Sequence, residues 1–172
     1  MIEVLVTIVI LAIGMLGLVG LEGRLQVTQL EAYQRSQALI LLKDMENRLA
    51  ANQLNAANYV TATAIGAGGT CATSSTSVQQ ADAIAWCNDI LGAGETSGGA
   101  KVGALINGLG CVEAIGNNQY LITVAWQGLS AVGAPPGSTC GQGQYNSVGG
   151  CAGDVCRRTV STTVQIANLA TP

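Results

Sequence analysis

The sequence predicts an α+β protein: one long N-terminal α-helix packed on a small antiparallel sheet of three or four strands, with loops stapled by disulfides. Three observations carry this. Val4 to Leu21 contains no charge, and no proline occurs before Pro135, so a helix that begins apolar can run on unbroken. Runs of alternating apolar residues in the second half read as strands. Six cysteines, none in the first 70 residues, lie in a small, polar, glycine-rich region that calls for a covalent framework.

The opening stretch, MIEVLVTIVILAIGMLGLVGLEGRLQ, is apolar on every side if helical. From Val4 to Leu21 it would be roughly 27 Å long, close to the ~30 Å of a bilayer's hydrocarbon core. Such a helix either spans lipid or is buried all round. A cleaved signal peptide should open with a basic stretch and close on small residues at a cleavage site. Here Glu3 opens the run, and Glu22 and Arg24 follow it directly. An uncleaved segment is therefore expected. Beyond Gln26, Leu25, Leu39, Leu42, Met45 and Leu49 recur at helical spacing, with Glu31, Arg35, Lys43, Glu46 and Arg48 between them. One helix from about Ile2 to Ala51 is predicted, its second half carrying an apolar stripe suited to a sheet.

After Asn52 the texture changes. ANYVTATAIGAGGTCATSSTS reads as loop with a short extended piece. VQQADAIAWCNDILGAG reads as a short amphipathic helix that Gly92 can stop. ETSGGAKVGALINGLG reads as a connector with turn glycines, and CVEAIG as a short strand. Asn117–Asn118 forms a turn, and the strand behind it places Tyr120, Ile122, Val124 and Trp126 on one face. RRTVSTTVQIANL places Val160, Thr162, Val164 and Ile166 opposite Thr159, Ser161, Thr163 and Gln165. The long Gly/Pro-rich excursion between these strands holds three cysteines, so it is expected to be stapled.

Net charge is −3, which supplies no basic footprint for nucleic acid, and only 10 % of residues are charged. Histidine is absent, which removes the commonest general base and metal ligand. No catalytic, cofactor or metal site is predicted. The carboxylates Asp82, Asp89, Glu95, Glu113 and Asp154 are scattered singly, and no calcium loop, P-loop, nucleophile elbow or dinucleotide fingerprint occurs. Trp86 and Trp126 are expected in the core rather than on a ligand platform. Arg157 and Arg158, adjacent on a strand, point to opposite faces and form no patch. Cys71, Cys87, Cys111, Cys140, Cys151 and Cys156 lack C-x-x-C spacing, so three disulfides and no free thiol are expected rather than a zinc site. Fifteen connectivities are open. The favoured one joins Cys87 to Cys111, tying the short helix to the sheet, with Cys140, Cys151 or Cys156 closing the late loop.

The Ile2–Glu3–Val4–Leu5 run, the apolar stretch behind it and the helix-then-sheet plan together resemble type IV pilins. VILAIGMLGLVGLEGRLQ, NNQYLITVAWQG, CGQGQY and RRTVSTTVQI are similar to the PilV-type minor pilins of that superfamily. The resemblance implies residues 1–24 as membrane anchor and filament core and residues 25–172 as head. The head divides into a helix half at 25–52, a variable αβ region at 53–108, and the sheet with its Cys-rich loop at 109–172. It implies a prepilin peptidase substrate that waits in the bacterial inner membrane, head outward, and then enters an extracellular pilus. The implied partners are major and minor pilins, met through the N-terminal helix, and a tip adhesin; the implied roles are assembly or priming, adhesion and twitching motility. Pilins usually begin with an aromatic residue and place the glutamate fifth. With Glu3 third, the offset predicts two mature residues before Met1, or a misassigned start.

Glu3 then acquires a role. A carboxylate at the edge of lipid is costly and is kept for a purpose. In pilins it is held to pair with a neighbouring subunit's free amino terminus, an attraction that strengthens in an apolar filament core. The bland alternative is a glutamate solvated by headgroups. Gly14, Gly17 and Gly20 weaken the helix by ~1 kcal/mol each relative to alanine. They either let it stretch in a filament between about Gly14 and Gly23 or only allow close helix packing. Other functions fit less well: a type II secretion pseudopilin, although no carboxylate cluster lies between Gly128 and Cys156; a filament-forming major pilin; and last a membrane-anchored exported enzyme or binding protein, which leaves Glu3 idle.

Overall fold

Ile2 to Ala51 form a single α-helix, α1, as the unbroken, proline-free pattern predicts. The computed structural model describes residues 2–68, 71–101, 105–147 and 149–167. It divides into two units, Met1–Tyr33 and Gln34–Pro172.

In the second unit, α1 buries Gln34, Ala38, Leu41, Leu42, Met45 and Leu49, one stripe at helical spacing. Leu39 was expected on this stripe but is 48 % exposed, and the smaller Ala38 takes the buried place at 0 %. Ala38 is in phase with Leu42, Met45 and Leu49, and Leu39 lies about 100° further round the helix. Two short 3-10 turns, Gln53–Tyr59, carry the chain off the helix and are broken by a non-helical Asn55. Strand β1 (Ile65–Gly66) is the short extended piece. Helix α2 (Val78–Ile90) starts where Ser77 Oγ accepts from Gln80 N–H. It ends at Leu91, with Gly92 at φ +67° just beyond, the left-handed terminator position.

The connector forms an unexpected small hairpin. Strands β2 (Thr96–Ser97) and β3 (Ala100–Lys101) pair antiparallel around Gly98 and Gly99, both at positive φ. The main sheet adds β4 (Leu109–Gly116), β5 (Gln119–Gln127) and β6 (Arg157–Gln165), in the order β1-β4-β5-β6 and antiparallel throughout. β4 is longer than CVEAIG alone suggested. Asn117 and Asn118 adopt φ +51° and +55°, which gives the β4–β5 turn its tight reversal. The end of the RRTVSTTVQIANL segment lies outside the described residues.

The strand faces sort as their period-2 pattern requires. Tyr120, Ile122, Val124 and Trp126 pack with Ala38, Leu41, Leu42, Met45, Leu49, Trp86 and Ile90 in the main core. Val160 and Val164 of β6 flank the same layer, and Ile166, just beyond the strand, is part of the core. Trp86 is fully buried, and its Nε1–H donates to Leu41 O at 2.9 Å, fixing α2 to α1. Its ring lies over Gly110, where any Cβ would fall inside 3.0 Å of the indole and of Ile90. A second, smaller core of Leu109, Cys111, Ala125, Cys140 and Tyr145 lies on the other face of the sheet, under the late loop.

Candidate assembly surface

The first unit is where side chains wait for a partner. Every large apolar residue from Ile2 to Leu21 is exposed, from 51 % at Val6 to 77 % at Ile2. Burying one such side chain is worth about 1.5–3 kcal/mol. A helix apolar on all sides and long enough to cross a membrane therefore requires lipid or protein around it. The one hydroxyl between Ile2 and Leu21, Thr7 Oγ1, donates back to Val4 O at 2.9 Å and so carries no unmet polar demand into an apolar medium. Glu3 lies exposed in the first turn, near the free backbone N–H groups that favour an anion. The helix is continuous through Gly14, Gly17, Gly20 and Gly23. Nothing lies within 4 Å of a Cβ built on any of these glycines, so no internal contact explains them.

The cysteines pair as Cys71–Cys87, Cys111–Cys140 and Cys151–Cys156, with no free cysteine. Three disulfides were expected, but the favoured Cys87–Cys111 pair is wrong. The reason is strand parity. Val112 faces the α1 core, as does the Gly110 position beneath Trp86, so Cys111 between them points to the opposite face. There it meets Cys140 of the late loop, while Cys87 on α2 reaches back to Cys71. Cys151–Cys156 closes the late loop's final turn.

The two arginines of β6 do separate to opposite faces, and each clasps the late loop. Arg157 is 4 % exposed, and its Nη1 donates to Ser138 O at 2.8 Å and Cys140 O at 3.0 Å. Its Nε lies 3.6 Å from Asp154, whose Oδ1 accepts from Gly143 N–H at 2.8 Å. Arg158 Nη2 donates to Ser130 O at 2.7 Å. Trp86 and Trp126 are both in the core.

The carboxylates are less scattered than they look in sequence. Asp44, Asp82 and Asp89 converge on Arg48, at 2.7, 3.2 and 3.6 Å. Tyr59 Oη donates to Asp82 at 2.5 Å. Burial works against the Arg48 charge, but the hydrogen bonds and charges of Asp44 and Asp82 outweigh it and raise its pKa. Burial first, then the bond to Asp82, pushes the Tyr59 phenol up. The seven-residue step from Asp82 to Asp89, two turns on one helix face, was the available signal. This cluster ties α2 and the 3-10 segment to the end of α1. A groove of about 470 Å³ between residues 63–66 and α2 is lined by Thr63, Ile65, Ala83, Ile84 and the Cys71–Cys87 bridge.

No protein-family model, curated protein or solved structure matches the chain. The architecture itself is pilin-like: a long apolar N-terminal helix packed on a four-stranded antiparallel sheet with disulfides. The apolar helix and the oxidised cysteines mark a membrane-associated, exported protein.

Proposed function

We propose that this chain is a non-catalytic structural subunit of a type IV pilus, of the PilV-like minor kind, acting in pilus assembly or priming and so in adhesion or motility. The observation that carries the reading is the charge-free, exposed helix from Val4 to Leu21 with Glu3 at its edge. In this reading the helix rests in the inner membrane and then moves into a filament core made of other pilins' helices. Lipid and core are alike apolar, so the transfer needs little hydrophobic driving force. Specific contacts decide it instead.

Glu3 supplies one such contact. Its carboxylate pairs with the amino terminus of a neighbouring subunit, and in an apolar core an unpaired carboxylate would be heavily penalised. Docking in the wrong register is thereby disfavoured. The experiment is Glu3→Ala in the native cell. The variant folds and inserts in the membrane, but sheared pilus fractions are depleted of it. Incorporation at the wild-type level would falsify the docking role. Subunit counting in purified filaments sets the class. A few copies per filament support the minor role, a dominant count makes the chain the major pilin, and loss of protein secretion without loss of pili makes it a pseudopilin.

A further inference from the structure

The two edges of the main sheet are unequal. The β1 edge is blunted: it has only two residues. The β6 edge has nine residues, and its pairing with β5 runs without a register shift. From Thr159 to Gln165 it carries no charge, no proline and no bulge, the devices that ordinarily protect an edge.

Its backbone polarity follows from the ladder. Gly128 N–H donates to Cys156 O at one end of the β5–β6 pairing, and Ile166 N–H donates to Asn118 O at the other. Both contacts lie in the strand register, so even-numbered residues of β6 bond β5 and odd-numbered ones turn their N–H and C=O outward. Thr159, Ser161, Thr163 and Gln165 therefore present a row of donors and acceptors roughly 20 Å long. Among the described residues, no backbone–backbone partner meets it.

We propose that the outer edge of β6, Thr159 to Gln165, is a strand-addition site for an extended, uncharged segment of a partner polypeptide. Water can solvate this row of groups, but an extended backbone matches it bond for bond. The flanks set the partner's pattern. On the α1 side, Val160 and Val164 are only partly covered, so the added strand places apolar residues there. On the other side, Thr159, Ser161 and Thr163 call for small polar residues. A second copy paired antiparallel fits poorly. Two β6 edges paired antiparallel are related by a two-fold axis normal to the sheet, which reverses any helix lying on it. Residues 34–51 of the two copies would then run in opposite directions, which one membrane or one filament does not accommodate. That choice of occupant rests on the proposed pilus role, whereas the open edge does not.

The test places a photo-crosslinking amino acid at Gln165 of the full chain in the native cell, with the exposed Ser97 as control position. Mass spectrometry identifies the linked peptide. The expected adduct joins Gln165 to an uncharged, alternating segment of a different protein, and none forms at Ser97. Thr163→Pro removes one outward N–H while keeping every bond to β5, and lowers the adduct about tenfold. Thr163→Lys, which leaves the backbone unaltered and adds an edge charge, lowers it too and decides the matter should the proline variant fail to fold. The proposal is overturned by an adduct no stronger than at Ser97, by one insensitive to both substitutions, or by one to a second copy of this chain.

Discussion

Deleting the disulfides one at a time should destabilise the head in a fixed order. The loops closed by Cys71–Cys87, Cys111–Cys140 and Cys151–Cys156 span 16, 29 and 5 residues of sequence separation. None overlaps another, so each constrains its own part of the unfolded chain and the effects should add. Loop-closure entropy gives about 3.6 kcal/mol for Cys111–Cys140, about 3.1 for Cys71–Cys87 and about 2.1 for Cys151–Cys156 at 25 °C. All four cysteines of the Cys111–Cys140 and Cys151–Cys156 bridges are buried, so alanines leave voids in both places and loop length sets the gap between them. For a chain of this size each kcal/mol moves the melting temperature by about 2–4 °C. The Cys111→Ala/Cys140→Ala variant should therefore melt roughly 7–14 °C below wild type, and the Cys151→Ala/Cys156→Ala variant roughly 4–8 °C below. Thermal unfolding in detergent, followed by near-ultraviolet circular dichroism of the two tryptophans, reads both. If the five-residue bridge cost as much as the 29-residue one, loop entropy would not be the source of the stabilisation.

Further outcomes follow from single contacts. Gly110→Ala drives a methyl into the Trp86 ring and should cost about 1–3 kcal/mol in urea unfolding, whereas Gly94→Ala, in open space, should stay within about 0.5. Arg48→Met removes the cation shared by Asp44, Asp82 and Asp89. Because these pairs are partly exposed, the loss should be only about 1–2 kcal/mol at low salt and should shrink in high salt. Burial, opposed by Arg157 and reinforced by Asp154, raises the Tyr145 phenol above its ordinary value. A raised phenol stabilises the fold fully below its unfolded pKa of about 10, and that contribution fades as pH climbs towards the folded value. Urea midpoints between about pH 8 and pH 11 should therefore fall in the wild type and fall less in Tyr145→Phe. In a filament map at side-chain resolution, the helix should lose i to i−4 hydrogen bonding between about Gly14 and Gly23; an unbroken helix there would leave the glycines a packing role.

The long helix, the second helix, the three principal strands and their faces were legible in the sequence, because each rests on a period that neighbouring residues set among themselves. The charge-free run and Glu3 were legible for the same reason: hydropathy and charge are properties of the residues alone. What paired with what was not. Cys111 bonds Cys140 because an alternating strand turned it away from α2, and the late loop happened to pass beneath. Asp44, Asp82 and Asp89 meet at Arg48 only once α2 lies beside the end of α1. Local pattern decides which side of an element is apolar. Which elements then face each other, and which sheet edge is left open, is decided by packing among residues far apart in the chain, and no periodicity records that.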